Sequence, residues 1–201
     1  KIEAPGAGDQ ARRFGPFPGD DPHPERSGLY LFLNSGKRSI TLDPSLPTGL
    51  ELFTRLVSQA DVLVESNPPG AMGRMGLGYE VLKQVNPGLV YVSITPYGQE
   101  GPKAYWNAHH INSFHSSGEG YTLPGGLGYQ MYPGRGPITA GAHLGEYDAG
   151  LMAACAAVAA LYTREFLGVG QHVDISKQEA TMSLYALTHA QYLGEGRLID
   201  R

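Results

Sequence analysis

Cysteine is almost absent from this 201-residue chain, Cys155 being the single instance. That excludes an intrachain disulfide framework and fits a reducing compartment. Its setting in MAACAAVAA reads as a small buried side chain rather than a nucleophile. Charge is also sparse: 17% of residues are Asp, Glu, Lys or Arg, and the formal net charge is -4. This balance excludes a protein whose main partner is nucleic acid, and it excludes a disordered acidic tail. No apolar run is long. The longest, Leu151 to Tyr162, is too short to span a bilayer, and no basic-then-apolar leader opens the chain, so a cytoplasmic protein without a membrane partner is expected. No internal repeat of fixed period occurs, which disfavours a solenoid. What remains is 41% apolar residues in a chain long enough to bury about two-thirds of its unfolded surface.

The order of apolar segments points to an α/β fold. SITLD (Ser39 to Asp43) is a short β-like run. LPTGLELFTRLVSQA then carries Leu50, Phe53, Leu56 and Val57 on one helical face, and DVLVE (Asp61 to Glu65) returns as a strand. After the turn-rich SNPPGAMGRMGLG, the segment YEVLKQV suits a short helix. GLVYVSIT (Gly88 to Thr95) follows as a near-continuous β run of the kind buried on both faces. Such alternation favours a parallel sheet with right-handed crossovers. Residues 97–135 differ: glycine, proline, histidine and aromatics dominate, with one helix expected near Ile111 to Ser117. A loop-rich region of this length reads as an active-site segment, with Gly118 to Gln130 as a flap. From Gly145 to Glu165 a helix is expected, its Ala153, Ala156, Ala157 and Ala160 forming a narrow face for close packing. The opening KIEAPGAGD reads as the tail of a strand entering a glycine turn, and the absence of an initiator methionine suggests a chain cut at its front.

Four separated blocks carry a resemblance. NSGKRSITLD, ADVLVESNPPGAMGRMGLGYE, NPGLVYVSITPYGQEGP and AALYTREFLGVGQHVDIS together resemble the class III CoA-transferase family, also called CaiB/BaiF. The resemblance runs from Lys1 to about Ala180. It implies a Rossmann-like parallel sheet with flanking helices, in a two-domain chain that forms an interlocked homodimer. Residues 1–201 would then be a fragment of the large CoA-binding domain, lacking the first strand and the C-terminal half.

The same resemblance implies coenzyme A as the ligand. CoA carries phosphates that call for cations, and a pantetheine arm that needs backbone partners. Arg12, Lys37 and Arg38 fall at positions implied to contact the nucleotide. In Ser66 to Gly70 an arginine usual in the family is replaced by Pro68, which leaves Asn67, Gly70 and Arg74 as the implied contacts of that loop. MGLGYE does not sit between a strand and a long helix, so no NAD or FAD is expected. His109, His110 and His115 lack a second ligand cluster, so no metal is expected.

The family's catalytic aspartate stands four residues before a glycine at the start of the alanine-rich helix. Counting back from Gly150 gives Glu146, a methylene longer. Asp148 reads instead as a helix cap or a solvent-facing acid. A transferase would use Glu146 to form an acyl anhydride and then a glutamyl-CoA thioester. A second stretch, HHINSFHSSG (His109 to Gly118), resembles the α-methylacyl-CoA racemases of the same family at His109, Ile111, Asn112, Ser117 and Gly118. That implies an alternative two-base chemistry by His109 and Glu146. A third alternative is a CoA-thioester binding protein without turnover.

Overall fold

The computed structural model describes residues 1–123, 130–134, 136, 138, 140–141, 143–184 and 186–197. Two units divide the chain, Lys1–Leu56 and Val57–Arg201.

In the first unit, β1 (Ile2–Glu3) pairs in parallel with β2 (Ile40–Thr41), Ile2 opposite Ile40. Between them lie a 3-10 turn at Gln10–Arg13 and the helix α1 (Gly28–Asn34). Each has a side-chain cap: Asp9 accepts from the Ala11 N–H, and Ser27 accepts from the Tyr30 N–H. α2 (Pro47–Val57), the helix expected from its apolar spacing, runs to the boundary of the two units.

The second unit is built on a three-stranded parallel sheet in the order β3 (Val62–Glu65), β4 (Val90–Thr95), β5 (His172–Ser176). β4 is central and almost wholly buried, as its unbroken apolar run requires. Two short helices, α3 (Ala71–Arg74) and α4 (Tyr79–Val85), connect β3 to β4. The longer crossover from β4 to β5 holds α5 (His110–Ser116), α6 (Glu119–Thr122) and α7 (Leu144–Leu167). After β5 come α8 (Lys177–Leu184) and α9 (Ala186–Glu195).

By length and composition alone, α7 is long and apolar enough to cross a membrane. Here, however, its small-residue face packs on the sheet: Ala153 and Ala160 form a core with Val90 and Val92, and Ala157, Leu161, Val62, Val173 and Ile175 lie against it. Alanine is what allows the close approach. The opposite stripe of Leu151, Val158, Tyr162 and Phe166 is exposed. Cys155 lies off the packing face and is exposed too, which corrects the expectation of a buried thiol. An alanine-rich helix on a single sheet buries only one side, and Cys155 is on the other.

Arg164 ties α7 to the strand ends, donating to the Gly88 carbonyl at 3.0 Å and to Asp61 at 2.9 Å. Nearby, Gly170 passes so close to the chain before β4 that a Cβ there would lie 1.9 Å from the Leu89 carbonyl oxygen. We therefore expect Gly170→Ala to lower stability by about 3 kcal/mol or more through overpacking against backbone, measured as a shift in the denaturant midpoint. A variant as stable as the parent would sink this reading of the contact.

Candidate active site

In open parallel sheets, ligands bind outside the carboxyl ends of the strands. Three segments leave that edge in the second unit: residues 66–74 after β3, the long excursion after β4, and Lys177 directly after β5.

Glu146 lies in the first turn of α7, where the positive end of the helix dipole favours a carboxylate. Its backbone N–H donates to the carbonyl of His143 at 2.9 Å. His143 has φ of +60°, an uncommon left-handed conformation for a non-glycine residue, and so sets the entry angle of the helix. The Glu146 side chain is about one-third exposed, and its Oε2 accepts from the Lys177 ammonium at 2.5 Å.

A histidine completes the cluster. His110, the first residue of α5, has its ring 5.7 Å from the His143 ring and 5.7 Å from that of Phe114. A Cβ on Gly145 would lie 3.4 Å from His110 Cε1, so the imidazole rests on the start of α7. Its Nε2 is buried without a hydrogen-bond partner among the described residues. Burial pushes the imidazole below its ordinary pKa, and the nearby Glu146 carboxylate opposes this in part. His110 is thus held neutral near pH 7.

His109 occupies a different place. It is exposed at the N-cap of α5, and its backbone N–H donates to Asn112 Oδ1 at 2.9 Å. The His-x-x-Asn spacing therefore has a local structural use, and the imidazole set against the α7 start is that of His110. Asp148, expected as a cap or a solvent-facing acid, is half-buried inside α7. Burial pushes its carboxyl up, and His110 partly opposes this. His115 packs edge-on to Phe114.

After β3, Asn67 donates from backbone and side chain to Glu65 Oε2, at 2.7 and 3.1 Å. Gly70 precedes α3 with φ of +74°, and Arg74 Nη1 would lie 3.2 Å from any Cβ placed there, so the exposed guanidinium folds over the glycine. Of the candidate flap, Glu119–Thr122 is helical, with Glu119 and Gly120 buried; residues 124–129, Tyr129 among them, lie outside the described residues, as does Arg135. Trp106, Tyr121 and Tyr132 are exposed.

The remaining cations expected to contact CoA, Arg12, Lys37 and Arg38, belong to the first unit. Arg12 grips Glu3 with two bonds, at 2.9 and 3.1 Å, and also donates to Tyr30 Oη, Glu25 and the Pro24 carbonyl. All five of its N–H donors are thereby engaged. Lys37 is exposed and donates to Asn34 at 3.2 Å, and Arg38 is exposed.

The description of CoA-transferase family III matches residues 1–201. The chain belongs to CoA-transferase family III. Among curated relatives, an acetyl-CoA:oxalate CoA-transferase of Acetobacter aceti is 36% identical over 192 residues, covering 94% of this chain and 46% of that protein. A succinate–glutarate CoA-transferase of Agrobacterium fabrum is 33% identical over 202 residues, covering 98% and 48%. Among solved structures, a CaiB/BaiF family protein from Brucella suis superposes with a TM-score of 0.87 at 33% identity, covering all of this chain and 51% of that one. The chain thus spans about half the length of the family III relatives it matches, and its mixed α/β architecture with parallel sheets is that of the CaiB/BaiF fold. Sequence reasoning held little signal for the partner of Glu146. The one cue was a lysine placed immediately after a strand, at the edge where ligands of parallel sheets bind.

Proposed function

We propose that the protein transfers CoA between an acyl-CoA and a carboxylic acid, with Glu146 as the nucleophile. The observation that carries this reading is a carboxylate in the first turn of α7, ion-paired with Lys177, in a family III chain. Attack of a Glu146 oxygen on the thioester carbonyl forms a C–O bond and breaks the C–S bond. The products are an acyl-glutamyl anhydride and CoA thiolate. The thiolate then attacks the glutamyl carbonyl carbon, expelling the donor acid as its carboxylate and leaving a glutamyl-CoA thioester. The acceptor carboxylate attacks that thioester and again releases thiolate. Return of the thiolate to the acceptor's acyl carbon yields the new acyl-CoA and restores Glu146. Each step exchanges one anion for another, so no proton is transferred.

That balance favours transfer over two-base racemisation. A carboxylate held by an ammonium suits a site whose total charge stays constant through the cycle. The fully named relatives act on oxalate, and on succinate and glutarate, all dicarboxylic acids; a dicarboxylic acid is the acceptor class we propose here. Lys37 and Arg38 of the first unit, and separately Arg74, Asn67 and Gly70 of the second, are proposed as contacts to CoA; Arg12 is proposed to frame its loop. The protein is proposed to work as a homodimer.

The test uses the protein at its full natural length with acyl-CoA and hydroxylamine. Peptide mapping should find the hydroxamate at Glu146. Because the cycle moves no proton, His109→Ala should keep transfer within about tenfold of the parent, with no α-hydrogen exchange in deuterated water. Loss of about 10²–10⁴ in such exchange on His109→Ala, the usual worth of a general base, would install the racemase reading in its place.

A further inference from the structure

We propose that Lys177 is the positioning cation of the reaction: it holds the Glu146 carboxylate in its attacking pose and supplies a fixed positive charge that the travelling negative charge faces throughout the cycle. This rests on the CoA-transferase reading.

The first argument is how firmly Lys177 is mounted. It follows Ser176, the last residue of β5, and begins α8. The next residue, Gln178, donates its backbone N–H to the Pro96 carbonyl at 3.1 Å and its side-chain amide to the Ser116 carbonyl at 2.8 Å. The Lys177 carbonyl accepts from Thr181 Oγ1 at 2.9 Å, with Thr181 itself buried. The end of β4, the end of α5 and the start of α8 thus converge on this position. A lysine on an open surface has a floppy stem. This one is 19% exposed and ends 2.5 Å from Glu146 Oε2.

The second argument is charge. Around Glu146 stand His110, His143, Asp148 and Lys177. His110 is held neutral by burial, and Asp148 is an acid, so Lys177 is the permanent cation beside this carboxylate among the described residues. In the transition state, the negative charge leaves the glutamyl oxygen for the former carbonyl oxygen and then for the CoA sulfur, a displacement of a few bond lengths. An ammonium has three N–H donors on a rotatable head. One holds Oε2, which leaves two that can meet an oxyanion formed next to that carboxylate. Preorganised donors of this kind are worth about 10²–10³ in turnover.

The third argument is fit. A shorter acid would withdraw the carboxylate from the ammonium by about one C–C bond, ~1.5 Å. The length of the acid at 146 and the reach of the lysine at 177 are matched.

The experiment compares Lys177→Met, Lys177→Gln and Lys177→Arg in the protein at its full natural length. Each is measured by turnover, by the rate of hydroxamate formation at Glu146, by CoA affinity and by thermal unfolding. Lys177→Met should lower kcat and the trapping rate by about 10²-fold, with KM for acyl-CoA and CoA affinity within about threefold. Lys177→Gln, which keeps a donor without the charge, should be equally impaired; Lys177→Arg should recover to within about tenfold of the parent. A Met variant turning over within about threefold of the parent, or a Gln variant as active as the Arg one, overturns the positioning role. A parent protein that binds CoA and never forms the hydroxamate overturns the transferase reading, and this role with it.

Discussion

Glu146→Gln is expected to abolish CoA transfer, lowering turnover by about 10⁴-fold or more, in the range found when a nucleophile is deleted from a concerted site. The amide keeps the shape of the side chain and still occupies the first turn of α7. It cannot displace a thiolate, and it can accept a hydrogen bond from the Lys177 ammonium but not form an ion pair with it. Glu146→Asp tests geometry rather than chemistry. The carboxylate survives but retreats by ~1.5 Å, breaking the 2.5 Å contact with Lys177. A misplacement of about 1 Å at a reacting centre costs roughly 10²-fold, so the Asp variant should fall between parent and Gln variant. Both are checked by following exchange between an acyl-CoA and a dicarboxylic acid under saturating substrate. A Gln variant within tenfold of the parent would remove Glu146 from the chemistry.

The largest stability effect is expected at Arg12. Glu3 is buried and accepts from Arg12 twice, from Tyr30 Oη, from Ser39 Oγ and from the Asp9 N–H. The Arg12 guanidinium, with these other donors, holds the Glu3 carboxyl well below the usual carboxylate range, although burial opposes them. Arg12→Ala leaves a buried anion without its cation, which costs about 3–5 kcal/mol. In a protein of this size class that is about 10 °C in Tm. The sign with pH follows from the depressed pKa. The stabilisation is present above the unfolded value, 4.5, and is lost as pH falls below it. Thermal unfolding from pH 7 down to pH 3 should therefore show an acid-side loss of stability in the parent that is smaller in Glu3→Gln. An Arg12→Ala protein within about 1 kcal/mol of the parent would show that the network is ornamental. The effect on CoA affinity is a separate measurement, and the engaged donors of Arg12 predict that stability falls first.

Much of the fold was legible because it rests on short-range periodicity. The unbroken apolar run before Thr95 became the buried central strand, the 3.6-residue spacing of Leu50, Phe53 and Val57 became α2, and the alanines at 153, 157 and 160 became the face that packs on the sheet. Glu146 was singled out by the family resemblance, whose aspartate-to-glycine spacing falls on Glu146 and Gly150 within one helix. These are properties of residues a few positions apart, and backbone geometry imposes them wherever the segment lies.

The rest needed the third dimension. That the imidazole set against the α7 start is His110, while His109 is spent capping α5, depends on the angle at which α5 approaches α7. That Arg12 is consumed by Glu3, nine residues away, depends on the turn after β1. That Lys177 meets Glu146 across 31 residues depends on the parallel register that brings the end of β5 level with the end of β4. Periodicity determined that this chain is an α/β protein, and the resemblance of its four blocks to class III CoA-transferases implied CoA as ligand and singled out the acid at position 146. Only the packing of strands and helices decided what surrounds that acid, because a contact between distant segments is set by the register and the crossing of whole elements.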